Sequence, residues 1–329
     1  MIGAGRMGQA HARVLAGLSE CQVVKVVDTF AANAEKAAAE LGAKAGVHLE
    51  DALNDPTVDA VVITTPTPTH AEVVEAAARA GKAIFVEKPI AHDLEAGRRV
   101  VRAVEQAGVA AQVGFQRRYD PAYLRAKELI EAGQLGQLEG FRAVGRDPTP
   151  PVLEYLKTSG GLLVDMGIHD LDLARFYLGE VAEVYAIGGA LVNPELKQFN
   201  LFDTAVGTLK FASGAVGTVE VALRTTYGYD IRTEILGERG RLHVEQDRRP
   251  NLTFYDQRGG NFDRPRNFEE RFREAYAAQM VAFARNLHAG KPLSPTVREG
   301  WYSLRLAKAA QQALESGQVI KVEEFGGRL

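Results

Sequence analysis

Three side chains in this sequence have the types and positions needed to move a proton beside a polar ligand. Lys88 stands directly after the apolar run AIFVE, in VEKP, where a strand would end and an ammonium could hydrogen-bond a reacting oxygen. Asp165 and His169 lie four apart in SGGLLVDMGIHDLDLARFYLG, a spacing that puts both on one face of a helix running to Gly179. An imidazole beside a carboxylate is a common arrangement for a general base. The same spacing also describes a helix whose polar stripe meets water, and a strand-end lysine is often merely solvated. Asp172, three residues past His169, completes a set that could ligate a divalent ion. One histidine among carboxylates is a weak metal signature, so no metal is expected. Cys21 falls in an expected buried strand and offers no nucleophile.

The surroundings of the lysine favour chemistry. Gly3, Gly5 and Gly8 in MIGAGRMGQAH spell G-x-G-x-x-G, and a helical stretch, the strand CQVVKVVD and Asp28 follow, the acid 20 positions after Gly8. That order sets a pyrophosphate on a helix N-terminus and the ribose hydroxyls on a carboxylate. AANAEKAAAELG, HAEVVEAAARAG and DLEAGRRVVRAVEQAG read as helices, while VDAVVITTP, AIFVE and VAAQVGF read as buried strands. Residues 1–118 therefore form an α/β domain, a doubly wound parallel sheet. Ligands gather at the carboxyl ends of such strands, which singles out Thr64, Thr65, Pro66 and Pro68 together with Glu87 and Lys88. Asp28 favours NAD over NADP, because it would face a 2′-phosphate as a like charge; Arg6, inside the glycine loop, is the cation that would counter it. Only Met1 and Ile2 precede the first glycine, against about five residues in an ordinary strand, and an apolar β segment upstream of Met1 is expected.

The 329 residues, 46% hydrophobic with a net charge of −3, can fill two cores and carry no basic footprint for nucleic acid. No apolar run reaches the length of a membrane span, and a single cysteine excludes an internal disulfide, which favours the cytoplasm. From about residue 135 short alternating stretches such as DTAVGTLKF, AVGTVEVALRT and IRTEILG predict one mainly antiparallel open sheet. Helical segments from about Phe268 to His288 and Val297 to Leu314, then a strand QVIKVEE, complete an α+β domain over 119–329. The last strand is free to return to the first domain.

GAGRMGQAH, VVD, ITTPTPTH, VEKP, VGFQRRYDPAY and GGLLVDMGIHDLD together resemble the Gfo/Idh/MocA oxidoreductases over most of the N-terminal two thirds. VGFQRRYDPAY, GRDPTPP, YGYD and REAYAAQM resemble the inositol 2-dehydrogenase branch of that family, which oxidises myo-inositol or related cyclic polyols with NAD. The resemblance implies a Rossmann nucleotide domain, Lys88 as the catalytic lysine ahead of a cis proline, and Asp165 with His169 as the polar pair of the substrate pocket, His169 acting as base. It assigns Gly3, Gly5, Arg6, Met7, Asp28, Thr65, Pro66, His70, Glu87 and Lys88 to the cofactor. Arg117, Asp147, Tyr229 and Tyr276 it assigns to the polyol, and it implies a homotetramer. A glycosidase that uses NAD transiently and a non-enzymatic NAD sensor share these features: net NADH with a polyol marks the dehydrogenase, product without NADH the glycosidase, and NAD binding without turnover the sensor. Asp28→Ala is expected to narrow the preference for NAD, read as the ratio of kcat/KM for the two cofactors. Equal use of NAD and NADP by the unmutated protein would overturn the role given to Asp28.

Overall fold

The computed structural model describes every residue except 246, 247, 249 and 258. The chain divides into two compact units, Met1–Tyr119 with Glu274–Leu304, and Asp120–Arg273 with Arg305–Leu329. The first unit is thus discontinuous in sequence, which a division into 1–118 and 119–329 does not capture.

The first unit carries five short strands, β1 (Lys25–Val27), β2 (Lys44–Gly46), β3 (Ala60–Ile63), β4 (Ala83–Glu87) and β5 (Ala111–Gly114). β1 pairs in parallel with β2, and β3, β4 and β5 pair in parallel in that order. Between the two sets lies Ile2, bridged to Val27 on one side and Ile63 on the other. Its N–H donates to Val62 O and its carbonyl accepts from Thr64 N–H, both at 2.8 Å, while Gly3 N–H donates to Val27 O at 2.8 Å. Three residues at the start of the chain therefore satisfy the central backbone groups that would be costly to bury unpaired. β2 escapes sequence reading because KAG has no apolar alternation. Cys21 is half-buried in the loop ahead of β1, since the strand begins only at Lys25.

Helices α1 (Arg6–Leu15), α2 (Ala31–Leu41), α3 (Glu50–Leu53), α4 (His70–Arg79) and α5 (Leu94–Ala107) alternate with these strands. α1 buries Gly8, His11, Ala12 and Leu15, an i, i+3, i+4, i+7 stripe. The segment that comes back from the far end of the chain completes the core. Met280 and Phe283 of the helix Arg273–His288, with Leu293, join Ala12, Val26, Val62 and Phe85 in one cluster. Trp301 has no exposed surface and donates its indole N–H to Leu94 O at 3.0 Å. It needs Gly97 on α5, where a Cβ would come within 2.9 Å of its ring.

The second unit is built on a seven-stranded sheet of β6 (Leu138–Arg146), β7 (Val181–Gly189), β8 (Thr204–Phe211), β9 (Val216–Ala222), β10 (Asp230–Gly237), β11 (Gly240–Glu245) and a terminal Ile320–Lys321 strand. The order is β11-β10-β6-β9-β8-β7 and then the terminal strand; every neighbouring pair is antiparallel except β6 with β9. The terminal strand pairs with β7 at Ile320↔Val184, so it closes the edge of this sheet and does not return to the first unit. Along β8 buried and exposed residues alternate, the mark of a sheet covered on one face only.

Helices α6 (Pro121–Glu131), α7 (Leu153–Thr158), α8 (Leu162–Asp165), α9 (Ile168–Leu178) and α10 (Phe268–Arg271) belong to the same unit, α9 lying over β6 and β9. The single helix expected through Asp165 and His169 is two helices, broken at Met166 and Gly167. The backbones crowd at the break: a Cβ on Gly167 would approach Leu163 O to 2.9 Å. Likewise the segment from Phe268 to His288 is interrupted at Phe272, with α10 before it. Trp301→Ala is expected to destabilise the protein by about 3 to 5 kcal/mol through the cavity it leaves in the first unit. Urea denaturation measures this, and a loss below about 1 kcal/mol would contradict the role given to the returning segment.

Candidate active site

The glycine loop is built by close approach of backbone to backbone. Gly3 has φ +94°, and a Cβ there would sit 2.7 Å from the backbone of both Thr64 and Thr65. Gly8 lies against the Gly3 carbonyl so tightly that a Cβ would overlap its oxygen, and Thr64 Oγ1 donates to that same oxygen at 2.8 Å. Gly5 differs. It is the N-cap of α1, and a Cβ there would meet nothing within 4 Å, so the helix N-terminus opens onto free space. Asp28, just past β1, accepts the Ala4 N–H at 2.7 Å and the Phe30 N–H at 2.9 Å, which draws its carboxylate against the loop. Each carboxylate oxygen has a second lone pair for a ribose hydroxyl. An open helix end beside such a carboxylate fits NAD. Arg6 is exposed on the first turn of α1 with Met7 half-buried behind it, and Thr65 and Pro66 follow β3.

Lys88 is half-buried just after β4, and its peptide bond to Pro89 is cis. Its N–H donates to Glu87 Oε2 at 3.2 Å. Glu87 and His70, both assigned to the cofactor by resemblance, have polar atoms engaged within the protein. The Glu87 carboxylate turns inward to His11 Nε2 at 2.7 Å. His70 has its Nδ1 2.7 Å from Pro89 O and its Nε2 2.8 Å from Thr65 O. Burial pulls the His70 pKa below the ordinary imidazole value, and the two carbonyls oppose that shift. Both residues thus shape the strand ends that carry Thr65 and Lys88. Arg117 is buried in the turn after β5. Tyr276 is buried on the helix Arg273–His288, its ring edge-on to His11 at 5.7 Å.

In the second unit Asp165 ends α8 and His169 stands in the first turn of α9, both half-buried. Tyr155 on α7 donates its hydroxyl to Asp165 Oδ1 at 2.8 Å. Asp172 is buried, and among the described residues no group of three or more His, Cys, Asp or Glu is placed to hold a metal. Asp147 follows β6, its N–H on Ala222 O at 3.0 Å. Tyr229 precedes β10 with its ring edge-on to Phe272. Between those two strand ends Asp230, 1% exposed, accepts from Tyr227 Oη at 2.8 Å and Arg232 Nε at 2.8 Å and pairs with Arg146 Nη1 at 3.4 Å. That buried carboxylate ties together the ends carrying Asp147 and Tyr229.

Residues 1–115 match the model of an oxidoreductase family with an NAD-binding Rossmann fold, and residues 127–322 match the C-terminal α/β domain of the same family. The chain belongs to the Gfo/Idh/MocA oxidoreductases. Among curated proteins of the family it is 36% identical to the myo-inositol 2-dehydrogenase of Thermotoga maritima, covering 99% of each chain. It is 37% identical to the scyllo-inositol 2-dehydrogenase (NAD(+)) of Bacillus subtilis, covering 98% of this chain and 95% of that protein. The crystal structure of scyllo-inositol dehydrogenase from Lactobacillus casei with bound NAD(H) and scyllo-inositol aligns with a TM-score of 0.93 at 29% identity, covering 98% of this chain and 97% of that one.

Among the polar residues of this Gfo/Idh/MocA chain that escaped sequence reading are His11 and Tyr155. His11 left a signal, a titratable side chain on the otherwise small and apolar stripe of α1. Tyr155 left none, since a six-residue helix is too short for its spacing to point anywhere.

Proposed function

We propose that this protein oxidises a cyclic polyol, myo-inositol to 2-keto-myo-inositol, with NAD. The observation that carries the reading is the similarity, across both units, to proteins named as inositol 2-dehydrogenases. Bound NAD supplies the hydride acceptor. The chain's own side chains handle the hydroxyl proton and the developing charge. His169 takes the proton, as the one side-chain type whose ordinary titration leaves a free basic nitrogen near neutral pH. Lys88 hydrogen-bonds the reacting oxygen and stabilises it as it gains alkoxide character. Asp165, steadied by the Tyr155 hydroxyl, balances the charge. Arg117, Asp147, Tyr229 and Tyr276 bind the remaining hydroxyls.

The uncovered face of the seven-stranded sheet supports a homotetramer. Ile187, Val206, Val216, Leu236 and Val319 are exposed there or at its edge, interspersed with Glu183, Lys210, Arg142 and Glu234. An apolar face studded with both charges can pair with a second copy of itself. The single cysteine supports a cytoplasmic setting.

NADH absorbance over a panel of inositols with NAD and NADP tests the activity. Net NADH with an inositol is expected; product without NADH, or NAD binding without turnover, would refute it. Lys88→Met and His169→Ala should each lower kcat by about 10² to 10⁴ with little change in NAD affinity. Near-normal turnover in either would remove that residue from the mechanism. Replacing Val206 and Val216 by lysine should split the assembly in sedimentation equilibrium, and an unchanged mass would place the interface elsewhere.

A further inference from the structure

We propose that His11 and Glu87 are a buried positioning pair that fixes the catalytic lysine to the helix of the glycine loop. The inference rests on the role given to Lys88 above. His11 has no exposed surface and Glu87 only 5%, and their Nε2 to Oε1 separation is 2.7 Å. The imidazole is held edge-on by two rings, Phe85 at 5.4 Å and Tyr276 at 5.7 Å. Among the described residues its Nδ1 has no hydrogen-bond partner. Among the described residues the polar contact of this ring is Glu87, and that hydrogen bond assigns a proton to Nε2.

The carboxylate is confined from the other side as well. A Cβ on Gly114 of β5 would come within 2.8 Å of Glu87 Oε1, so the strand leaves room for this side chain and no more. With one oxygen on His11, Glu87 accepts the Lys88 N–H with the other. Pro89 O, on the far side of the lysine, lies 2.7 Å from His70 Nδ1. The lysine backbone is pinned at both ends.

α1 begins at the N-cap Gly5, where the pyrophosphate would lie, and carries His11 on its second turn. One hydrogen-bonded step thus joins the helix that receives the cofactor to the turn that presents the ammonium. Removing the donor from His11 leaves a buried carboxylate short of a partner, free to relax and carry Lys88 with it. Misplacement of a catalytic group by about 1 Å costs on the order of 10² in rate.

The test measures steady-state kinetics of His11→Leu and His11→Gln, alone and combined with Lys88→Met. His11→Leu, apolar among the two aromatic rings, is expected to lower kcat by about 10² while KM for inositol and for NAD stays within about threefold. His11→Gln restores a neutral donor near the Nε2 position and should recover at least tenfold of that loss. In the Lys88→Met background His11→Leu should cost nothing further, because residues that act as a unit are not additive. If His11→Leu fails to fold by circular dichroism, Glu87→Gln carries the same test against Lys88→Met. A folded His11→Leu enzyme with kcat within threefold of the parent overturns the proposal. So does a full additional loss in the double variant. Lys88→Met alone retaining turnover would instead defeat the reading of Lys88, so the two failures are told apart.

Discussion

Everything at the nucleotide end depends on how closely two glycines let the backbone approach itself. Gly8 rests against the carbonyl of Gly3, Thr64 caps that carbonyl from the next strand, and the helix can seat on the sheet only at this distance. A side chain at either position would lift α1 away. The same seating brings His11 down to Glu87 and the Ala4 N–H to Asp28. The positions of the loop, Asp28 and the lysine turn are therefore tied to a single close contact.

The strand ends were legible in the sequence because their physics is local. An apolar run followed by a charged or proline-bearing segment marks an element boundary, and Asp28, Thr65 and Lys88 do follow the ends of β1, β3 and β4. The central strand was harder. Met1 and Ile2 are too few to read as a strand from sequence, and the place of Met1–Gly3 shows only in their hydrogen bonds to the distant strands that carry Val27 and Ile63. Periodicity misled at Asp165 and His169. Spacing of four implies a shared face only if the helix is continuous, and Gly167 interrupts it. The inward turn of Glu87 was invisible for a different reason, since it depends on His11 from a segment 76 residues away.

The second unit shows how much a one-sided sheet leaves undecided in sequence. Alternation along each strand identified the sheet, and turn residues separated the strands, but nothing local distinguishes a parallel neighbour from an antiparallel one. The β6–β9 pair is parallel because β7 and β8 intervene in sequence and are laid on the far side of β9. The consequence is chemical as well as topological. With β6 and β10 adjacent and antiparallel, the end of one meets the start of the other, and Asp147 and Tyr229 emerge beside the same buried carboxylate, Asp230.

The discontinuity of the first unit reaches back to the ribosome. Its core needs Met280, Phe283 and Leu293, yet its first segment ends at Tyr119 and about 150 residues of the other unit are made in between. At roughly 5 to 20 residues per second, that interval is on the order of 10 to 30 s of synthesis. Throughout it the apolar side around Phe85 and Val62 lacks the Met280, Phe283 and Leu293 that cover it in the finished protein. A quickly closing intervening unit would shorten the time for which that surface is exposed to unfolded chain before the last helices are made.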